Sequence, residues 1–335
     1  SQYPSINGGP ELRSSIWAYC KRRFELDEES GLDMIPTNGS KEAVFHIALS
    51  IVGRAGGRKH VVYPNPGYPV YKSSINFAGG IPYPVTLKEE DNYIFKPWEL
   101  PEEVQNDTAA IWINYPHNPT GATINPESLK KIIDWCQERD VILLSDDCYT
   151  DIYHTSWDKS GERPIHPLSY STKNILSFMS LSKRSGLTGY RSGFILGDPE
   201  IIKYVRKARA NFGVATPLPI QAAANVAWQD DEHVIERRKA FSERLDYSFD
   251  RLNKIGLISE RPKAGFYLWC PLPKGDDDIE FSLALAEKGV ITSPSQWLSE
   301  GIKGYVRLAM VPNIEDIRDA MDIIEEFVTS RYKES

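Results

Sequence analysis

The sequence is poor in cysteine, in long apolar runs and in the short motifs that mark many enzyme classes. Its four cysteines lie far apart without a C-x-x-C pair, which favours reduced thiols in a cytoplasmic protein. No apolar run approaches the ~18 residues that a membrane span needs, so we expect no membrane partner. The patterns G-x-G-x-x-G, G-x-x-x-x-G-K-[ST], H-E-x-x-H and G-x-S-x-G are absent, which argues against dinucleotide, P-loop, zinc-protease and hydrolase sites. We therefore expect no metal site.

The net charge and the length of the chain limit which classes of protein remain possible. The chain has 335 residues, with 39 Lys and Arg against 46 Asp and Glu, which gives a net charge of −7 at pH 7. Because an acidic chain is not attracted to a polyanion, we expect no nucleic-acid partner. A hydrophobic content of 41% is typical of a globular protein. At about 150 residues per domain, the length predicts about two domains.

Short β-rich runs end abruptly in polar or turn residues. Between these runs, apolar residues recur at helical spacing, as in 44–51 and 129–136. The alternation predicts an open, mostly parallel α/β sheet with helices on both faces and a ligand site at the carboxyl ends of its strands. The runs are 60–63, 109–113, 141–144 and 175–181.

The pattern changes near residue 231, where a long charged helical stretch precedes short strands and helices. We predict a large domain over residues 1–247 and a smaller α+β domain over residues 248–335. Two helix starts are also predicted from local sequence. Ser40 is expected to cap a helix from Lys41, and Asp198 is expected to cap a helix that begins at Pro199.

One segment combines an amine, two hydroxyls and an arginine at the end of an apolar strand. Lys183 follows Ser180 and Ser182, and Arg191 lies eight residues later. These groups suit an aldehyde cofactor that carries a phosphate. The amine can form a Schiff base with the aldehyde, and the hydroxyls and the arginine can bind the phosphate dianion. A solvated turn rich in Lys and Arg is the alternative, and this segment alone does not decide between them.

Further residues fit the same kind of cofactor. Ser40 opens a helix whose free N–H groups would hold the phosphate. Tyr68 can lay its ring on the cofactor face, and the Asn118 amide can donate to a phenolic oxygen. Asp146 ends a buried strand and needs a cationic partner such as a protonated pyridine nitrogen, and Tyr149 can reach the phenolic oxygen. Taken singly, each also fits an ordinary cap, loop aromatic, turn or salt bridge.

A further candidate lies near the carboxyl terminus. The run 305–310 alternates, with Val306, Leu308 and Met310 on one face and Arg307 on the other. The planar guanidinium of Arg307 can grip a carboxylate with two hydrogen bonds, and a surface ion pair is the alternative.

Together these motifs resemble the fold-type I, class I and II aminotransferases, which depend on pyridoxal 5′-phosphate. The patterns N-P-G-Y-P, N-x-P-x-N-P-T-G, S-D-x-x-Y, S-x-S-K and Y-V-R-L-A occur in the family's order over essentially the whole chain. The resemblance implies an α/β fold with a mostly parallel large-domain sheet flanked by helices and a smaller α+β C-terminal domain. It also implies transfer of an amino group between an amino acid, usually glutamate, and a 2-oxo acid.

The resemblance also implies a role for each matching residue. Lys183 is the Schiff-base lysine, Asp146 pairs with the pyridine nitrogen, and Tyr149 completes the catalytic set. Tyr149 and Asn118 bind the ring hydroxyl, and Tyr68 stacks on the ring. The α-carboxylate of the substrate is bound by Arg307, beside Asn118. The phosphate is held by Ser40, Ser180, Ser182 and Arg191.

Tyr3 matches a family tyrosine that reaches the partner subunit's phosphate, which implies a homodimer with shared active sites. Asp147 departs from the family, which more often has Glu. Family members carry several dozen residues ahead of the Tyr3 segment, so we expect the family's N-terminal arm to be absent.

Within the family, segments such as G-S-K-E-A-V-F and A-G-F-Y-L-W-C are most similar to the N-succinyldiaminopimelate aminotransferases of lysine biosynthesis. The motifs leave other activities open, because cofactor groups alone do not fix which bond breaks. The alternatives are an aspartate or aromatic aminotransferase, a carbon–sulfur β-lyase on the same fold, and a non-catalytic cofactor-binding module.

Overall fold

The computed structural model describes residues 2–53, 56–273 and 276–332, so the outermost residues of both predicted domains lie outside the described ranges. The strands are β1 (Asp33–Thr37), β2 (His60–Asn65), β3 (Ile81–Thr86), β4 (Thr108–Ile113), β5 (Ile142–Asp146), β6 (Ile175–Ser180), β7 (Gly193–Gly197), β8 (Tyr267–Pro271), β9 (Ser293–Pro294) and β10 (Tyr305–Ala309). The helices are α1 (Pro10–Phe24), α2 (Ser40–Ile51), α3 (Val70–Phe77), α4 (Glu102–Asp107), α5 (Pro126–Glu138), α6 (Ser156–Ser160), α7 (Leu181–Arg184), α8 (Pro199–Arg209), α9 (Leu218–Gln229), α10 (Glu232–Lys254), α11 (Asp278–Glu287) and α12 (Ile314–Tyr332).

Seven strands form one sheet in the order β1-β7-β6-β5-β4-β2-β3. β6, β5, β4, β2 and β3 pair in parallel, whereas β7 pairs antiparallel with both β6 and β1. This arrangement confirms the predicted mostly parallel α/β sheet. The predicted runs form the neighbouring strands β2, β4, β5 and β6, so their carboxyl ends lie side by side at one edge of the sheet.

Both faces of this sheet are buried because helices cover each of them. On β4, Ile111 and Ile113 point into a core shared with α1, α5 and α9. The alternate residues Ala110 and Trp112 point into a second core formed with α2, α3 and α8. The alternation of side chains along each strand therefore fixes which helices lie on which face.

A second sheet has three strands in the order β8-β10-β9, all antiparallel. Its apolar core is shared with α10, α11 and α12. The predicted boundary at residue 248 falls inside α10, and it stays a prediction. The sheet presents Arg307 on β10 opposite Trp269 on β8.

The two predicted helix starts have different outcomes. Asp198 caps α8, because its side chain accepts a hydrogen bond from the Glu200 N–H at 2.9 Å. The prediction that Ser40 is an N-cap is wrong. Gly39 occupies that position at φ +78°, a left-handed backbone conformation that glycine tolerates, and Ser40 is the first residue of α2.

Candidate active site

The carboxyl ends of four adjacent strands bring most of the predicted residues to one region. Parallel strands end at a common edge, and that edge is the usual ligand site of open α/β sheets. Tyr68 follows β2, Asn118 follows β4, Asp146 and Tyr149 lie at the end of β5, and Lys183 follows β6.

Asp146 is buried and only partly satisfied. Its Oδ2 accepts a hydrogen bond from the Tyr71 hydroxyl at 2.9 Å, and Asn114 Nδ2 donates to its backbone oxygen at 2.7 Å. Its Oδ1 is buried and accepts no hydrogen bond from the described residues. Burial raises the pKa of Asp146. A buried carboxylate oxygen of this kind fits a cationic N–H donor, such as the protonated ring nitrogen of a pyridine.

Tyr71 was not among the residues predicted from the sequence. Its ring is fully buried and stacks on Trp112 with centroids 4.7 Å apart, which fixes the hydroxyl against Asp146. Burial and the Asp146 charge raise its pKa well above the ordinary value, so the hydroxyl stays a donor. The sequence could have indicated Tyr71 through the helix start after Pro69. A helix that begins there places Tyr71 in its first turn, three residues after Tyr68.

A group of hydrogen-bond donors surrounds the start of α2. Arg191 donates from Nη2 to the Asn38 carbonyl at 3.2 Å and from Nη1 to Ser182 Oγ at 3.5 Å. A Cβ on Gly39 would lie 2.5 Å from Arg191 Nη2, so glycine is required for this close approach. Helix N–H groups, Ser40, Ser182 and the guanidinium together suit a phosphate.

Ser180 and Ser40 hold different local contacts. The Ser180 hydroxyl accepts from the Ser182 N–H at 3.1 Å and caps α7, so its placement favours a structural role beside the proposed phosphate site. Ser40 Oγ lies 2.9 Å from Cys148 Sγ. Whether Ser180 contacts a phosphate stays a prediction.

Lys183 lies in the short helix α7, directly after β6. Its Nζ lies 5.6 Å from the centroid of the Phe266 ring. Among the described residues, no carboxylate forms an ion pair with this amine. Burial raises the pKa of the Cys148 thiol well above its ordinary value, and the Lys183 charge opposes this shift.

Arg307, on β10 of the second sheet, contacts the loop that follows β4 of the first sheet. Its Nη1 donates to Asn118 Oδ1 at 2.8 Å, and its Nη2 donates to Ser293 Oγ at 3.1 Å. Because a guanidinium can donate only to the oxygen of an amide, Asn118 Nδ2 remains available as a donor. The guanidinium lies 4.3 Å from the centroid of the Tyr267 ring.

No carboxylate of the described chain pairs with Arg307, so the surface ion pair allowed by the sequence does not form there. Its Nε is buried and has no partner among these residues. A positioned guanidinium without a counter-ion is suited to bind a carboxylate from a ligand.

Aromatic side chains enclose the site. Tyr149 Oη lies 3.0 Å from Tyr267 Oη, and burial raises the pKa of Tyr149 well above its ordinary value. The half-buried Tyr68 ring meets the Tyr71 ring edge to face, with centroids 5.8 Å apart. Tyr267 and Ser293 were not among the predicted site residues. They lie on β8 and β9, the two strands that pair with the strand of Arg307, and the sequence signal for them was the group of short strand-like runs around that strand.

Tyr3 is fully exposed, and its role toward a partner stays a prediction.

The fold and this site together define an enzyme that works with pyridoxal 5′-phosphate. The family model of aminotransferase class I and II matches residues 1–324. The chain therefore belongs to the class I and II aminotransferases.

Individual relatives extend this result. The chain is 35% identical to an LL-diaminopimelate aminotransferase of Aquifex aeolicus, over 97% of this chain and 83% of that protein. It is 32% identical to an LL-diaminopimelate aminotransferase of Syntrophobacter fumaroxidans, over 96% of this chain and 82% of that protein. A crystal structure of an aminotransferase from Neisseria meningitidis superimposes with a TM-score of 0.89 at 30% identity, covering 97% of this chain and 85% of that one. Within the described ranges, no helix is long and apolar enough to cross a membrane.

Proposed function

We propose that this aminotransferase acts on an amino acid of the diaminopimelate class, with LL-diaminopimelate as the first candidate and a 2-oxo acid as the acceptor. The observation that supports an amino-acid substrate is the bond of 2.8 Å from Arg307 to Asn118. It brings a guanidinium without a counter-ion onto the edge of the sheet where Asp146 and Lys183 lie. An α-amino acid bound there has its carboxylate on Arg307 and its amino group toward Lys183.

Different residues at the strand ends would bind different parts of the cofactor. Asp146 would keep the pyridine nitrogen protonated through Oδ1, while Tyr71 holds Oδ2. Asn118 Nδ2 and the Tyr149 hydroxyl would donate to the ring oxygen, and Tyr68 would cover one face of the ring. The phosphate would be held by the N–H groups at the start of α2 with Ser40, Ser182 and Arg191. When bound, pyridoxal phosphate supplies an electron-withdrawing ring that accepts the electrons released at the substrate Cα.

Lys183 has two tasks in this proposal. Its amine would hold the cofactor through the aldehyde, and once displaced by substrate it would take the proton from the substrate Cα. The Phe266 ring, with its centroid 5.6 Å from Nζ, forms one side of the space around this amine. Arg307 would orient the α-carboxylate so that the Cα–H bond faces Lys183.

The choice of substrate is supported by the relatives, since those at 35% and 32% identity are named LL-diaminopimelate aminotransferases. The sequence segments alone favoured N-succinyldiaminopimelate, and that derivative is the second candidate. The two differ in charge at the end of the substrate distant from Arg307, because succinylation replaces an ammonium by a neutral amide and adds a carboxylate.

The test is a panel of amino donors with 2-oxoglutarate as acceptor and glutamate formation as the readout. The donors are LL-diaminopimelate, its N-succinyl derivative, aspartate and phenylalanine. We expect a kcat/KM for LL-diaminopimelate at least about tenfold above the others. A higher value for the N-succinyl derivative would select that substrate instead. Release of ammonia and pyruvate from a β-substituted amino acid, without glutamate, would indicate the β-lyase activity.

We also propose a cytoplasmic homodimer. The four cysteines are free thiols in the structure, which fits a reducing compartment. The exposed Tyr3 is available to reach a partner's phosphate site. Tyr3→Phe should weaken cofactor affinity in a dimer whose mass is established by analytical ultracentrifugation, whereas a monomer with wild-type affinity would contradict this proposal.

A further inference from the structure

A cluster of contacts joins the loop before β10 to the end of β2 and the start of α3. We call it the Glu300 latch. The Glu300 carboxylate accepts hydrogen bonds from the Tyr63 hydroxyl and, at 2.6 Å, from Lys72 Nζ. Its members are Tyr63, Asn65, Gly67 and Lys72 on one side and Leu298 and Glu300 on the other.

Backbone groups of Glu300 and Leu298 also form hydrogen bonds in the latch. The Asn65 side-chain amide pairs with Glu300 in both directions, donating to its carbonyl at 2.9 Å and accepting from its N–H at 2.8 Å. The Gly67 N–H donates to the Leu298 carbonyl at 2.8 Å. Glu300 therefore holds the segment 65–72 at both ends, and Tyr68 lies in the middle of that segment.

The loop that carries Glu300 is itself fixed to the start of α11. The buried Asp278 accepts hydrogen bonds from Ser295 Oγ at 2.8 Å and from the Gln296 N–H at 2.9 Å. β9, which precedes the loop, supplies the Ser293 hydroxyl that contacts Arg307. β10, which follows it, carries Arg307 itself. The loop thus forms a short, braced connection between Arg307 and the segment that holds Tyr68.

We propose that Glu300 is a positioning residue for amino-group transfer, because it fixes the distance between Arg307 and the cofactor ring covered by Tyr68. This inference rests on the proposed function, since Arg307 and Tyr68 bind substrate and cofactor only there. An ion pair as exposed as Lys72–Glu300 contributes little by itself, with side chains 46% and 39% exposed. The hydrogen bond from the buried Tyr63 and the paired Asn65 amide therefore provide most of the attachment.

The experiment compares Glu300→Ala, which removes both side-chain acceptors, with Tyr63→Phe and the double variant in the holoenzyme. Each single change should raise KM for every amino donor about tenfold. The value of kcat should change much less, because a displaced Arg307 weakens ground-state and transition-state binding alike. The double variant should be no worse than the poorer single variant, since both changes remove the Tyr63–Glu300 hydrogen bond. Tyr63→Phe removes a single oxygen atom, so it keeps the test available if Glu300→Ala folds poorly.

The control is Glu138→Ala, which removes an exposed ion pair between the last residue of α5 and Arg139 just after it, and it should leave KM unchanged. Hydrogen exchange gives a second readout that does not need activity. The Gly67 amide should exchange faster in both latch variants than in the wild type. Unchanged KM, even with faster exchange, would overturn the positioning role, as would effects that multiply in the double variant. If the wild type transfers no amino group to any acceptor, the proposed function fails, and exchange at Gly67 still decides whether the latch holds.

Discussion

Replacing Asp146 by Asn tests the electrostatics of the site without requiring activity. The Asp146 carboxyl is buried, Tyr71 donates to its Oδ2 at 2.9 Å, and its Oδ1 has no donor among the described residues. Asparagine has the same shape, keeps an acceptor for Tyr71 and carries no charge. The cofactor-free variant should therefore be more stable than the cofactor-free wild type at neutral and mildly alkaline pH.

The dependence on pH has a definite sign. Burial raises the pKa of Asp146, so the folded state binds a proton more tightly than the unfolded state does. The stability that this carboxyl contributes is present below its unfolded pKa and is lost as the pH rises through the folded pKa. The asparagine variant lacks this dependence. The difference in stability should therefore grow from the ordinary carboxyl range upward and become constant above the folded pKa.

The size of the effect follows from the buried charge, because the asparagine Nδ2 takes the place of Oδ1 and also has no partner among the described residues. A buried polar atom without a partner costs about 1–3 kcal/mol and a charged one costs more, so we take about 1–3 kcal/mol for the difference between the two. At about 2.1 cal/mol/K per residue, the unfolding entropy of this chain of 335 residues is about 0.7 kcal/mol/K. The cofactor-free variant should therefore melt about 1.5–4 °C above the wild type near pH 8.

Thermal melts between about pH 5 and pH 8, with and without pyridoxal phosphate, measure this difference. Added cofactor should stabilise the wild type more than the variant, because only the aspartate can pair with a protonated ring nitrogen. The variant should also lose orders of magnitude in turnover while it still binds cofactor. A cofactor-free variant that melts below the wild type at every pH would refute the reasoning, and near-normal turnover would refute the role of Asp146 toward the ring nitrogen.

Three further substitutions test the remaining groups. Lys183→Ala should give a folded protein in which borohydride traps no cofactor on the chain, as judged by mass spectrometry, and a normal rate of transamination would remove Lys183 from its role. Arg307→Lys keeps the charge but loses the paired hydrogen bonds, so KM for every amino acid should rise about tenfold, and an unchanged KM would place the carboxylate elsewhere. Gly39→Ala puts a Cβ 2.5 Å from Arg191 Nη2 at a residue with φ +78°. Cofactor affinity, measured by fluorescence titration, should fall about tenfold, and equal affinity would show that phosphate binding does not depend on the close approach of Arg191 to Gly39.

The sheet and its strand-end residues were predictable because their signals are local. Buried parallel strands are continuous apolar runs, and a polar residue directly after such a run lies at the ligand edge of the sheet. Asp146 and Lys183 were found in this way. Ser40 was misassigned as a cap because sequence does not show that Gly39 adopts a left-handed backbone conformation, which moves the cap one residue earlier.

The contacts that complete the site could not be predicted because their partners are distant in sequence. Arg307 and Asn118 are separated by 189 residues, and Tyr71 and Asp146 by 75. The two residues of each pair lie on different secondary-structure elements. Local sequence propensity does not show how those elements pack against each other. Tyr71 also looks like a core aromatic from its sequence, and only its stacking on Trp112 turns its hydroxyl toward the carboxylate.

The groups left unpaired explain why this fold is suited to a composite ligand. Asp146 needs a cationic N–H donor, Arg307 needs a carboxylate, and neither has such a partner among the described residues. A simple anion would satisfy Arg307 and repel Asp146, whereas a simple cation would do the reverse. A cofactor with a basic ring nitrogen together with a substrate carboxylate would satisfy both charges at once. Because a buried carboxylate without a cationic partner lowers the stability of the free protein, the presence of Asp146 at this edge of the sheet fits a role in binding rather than in folding.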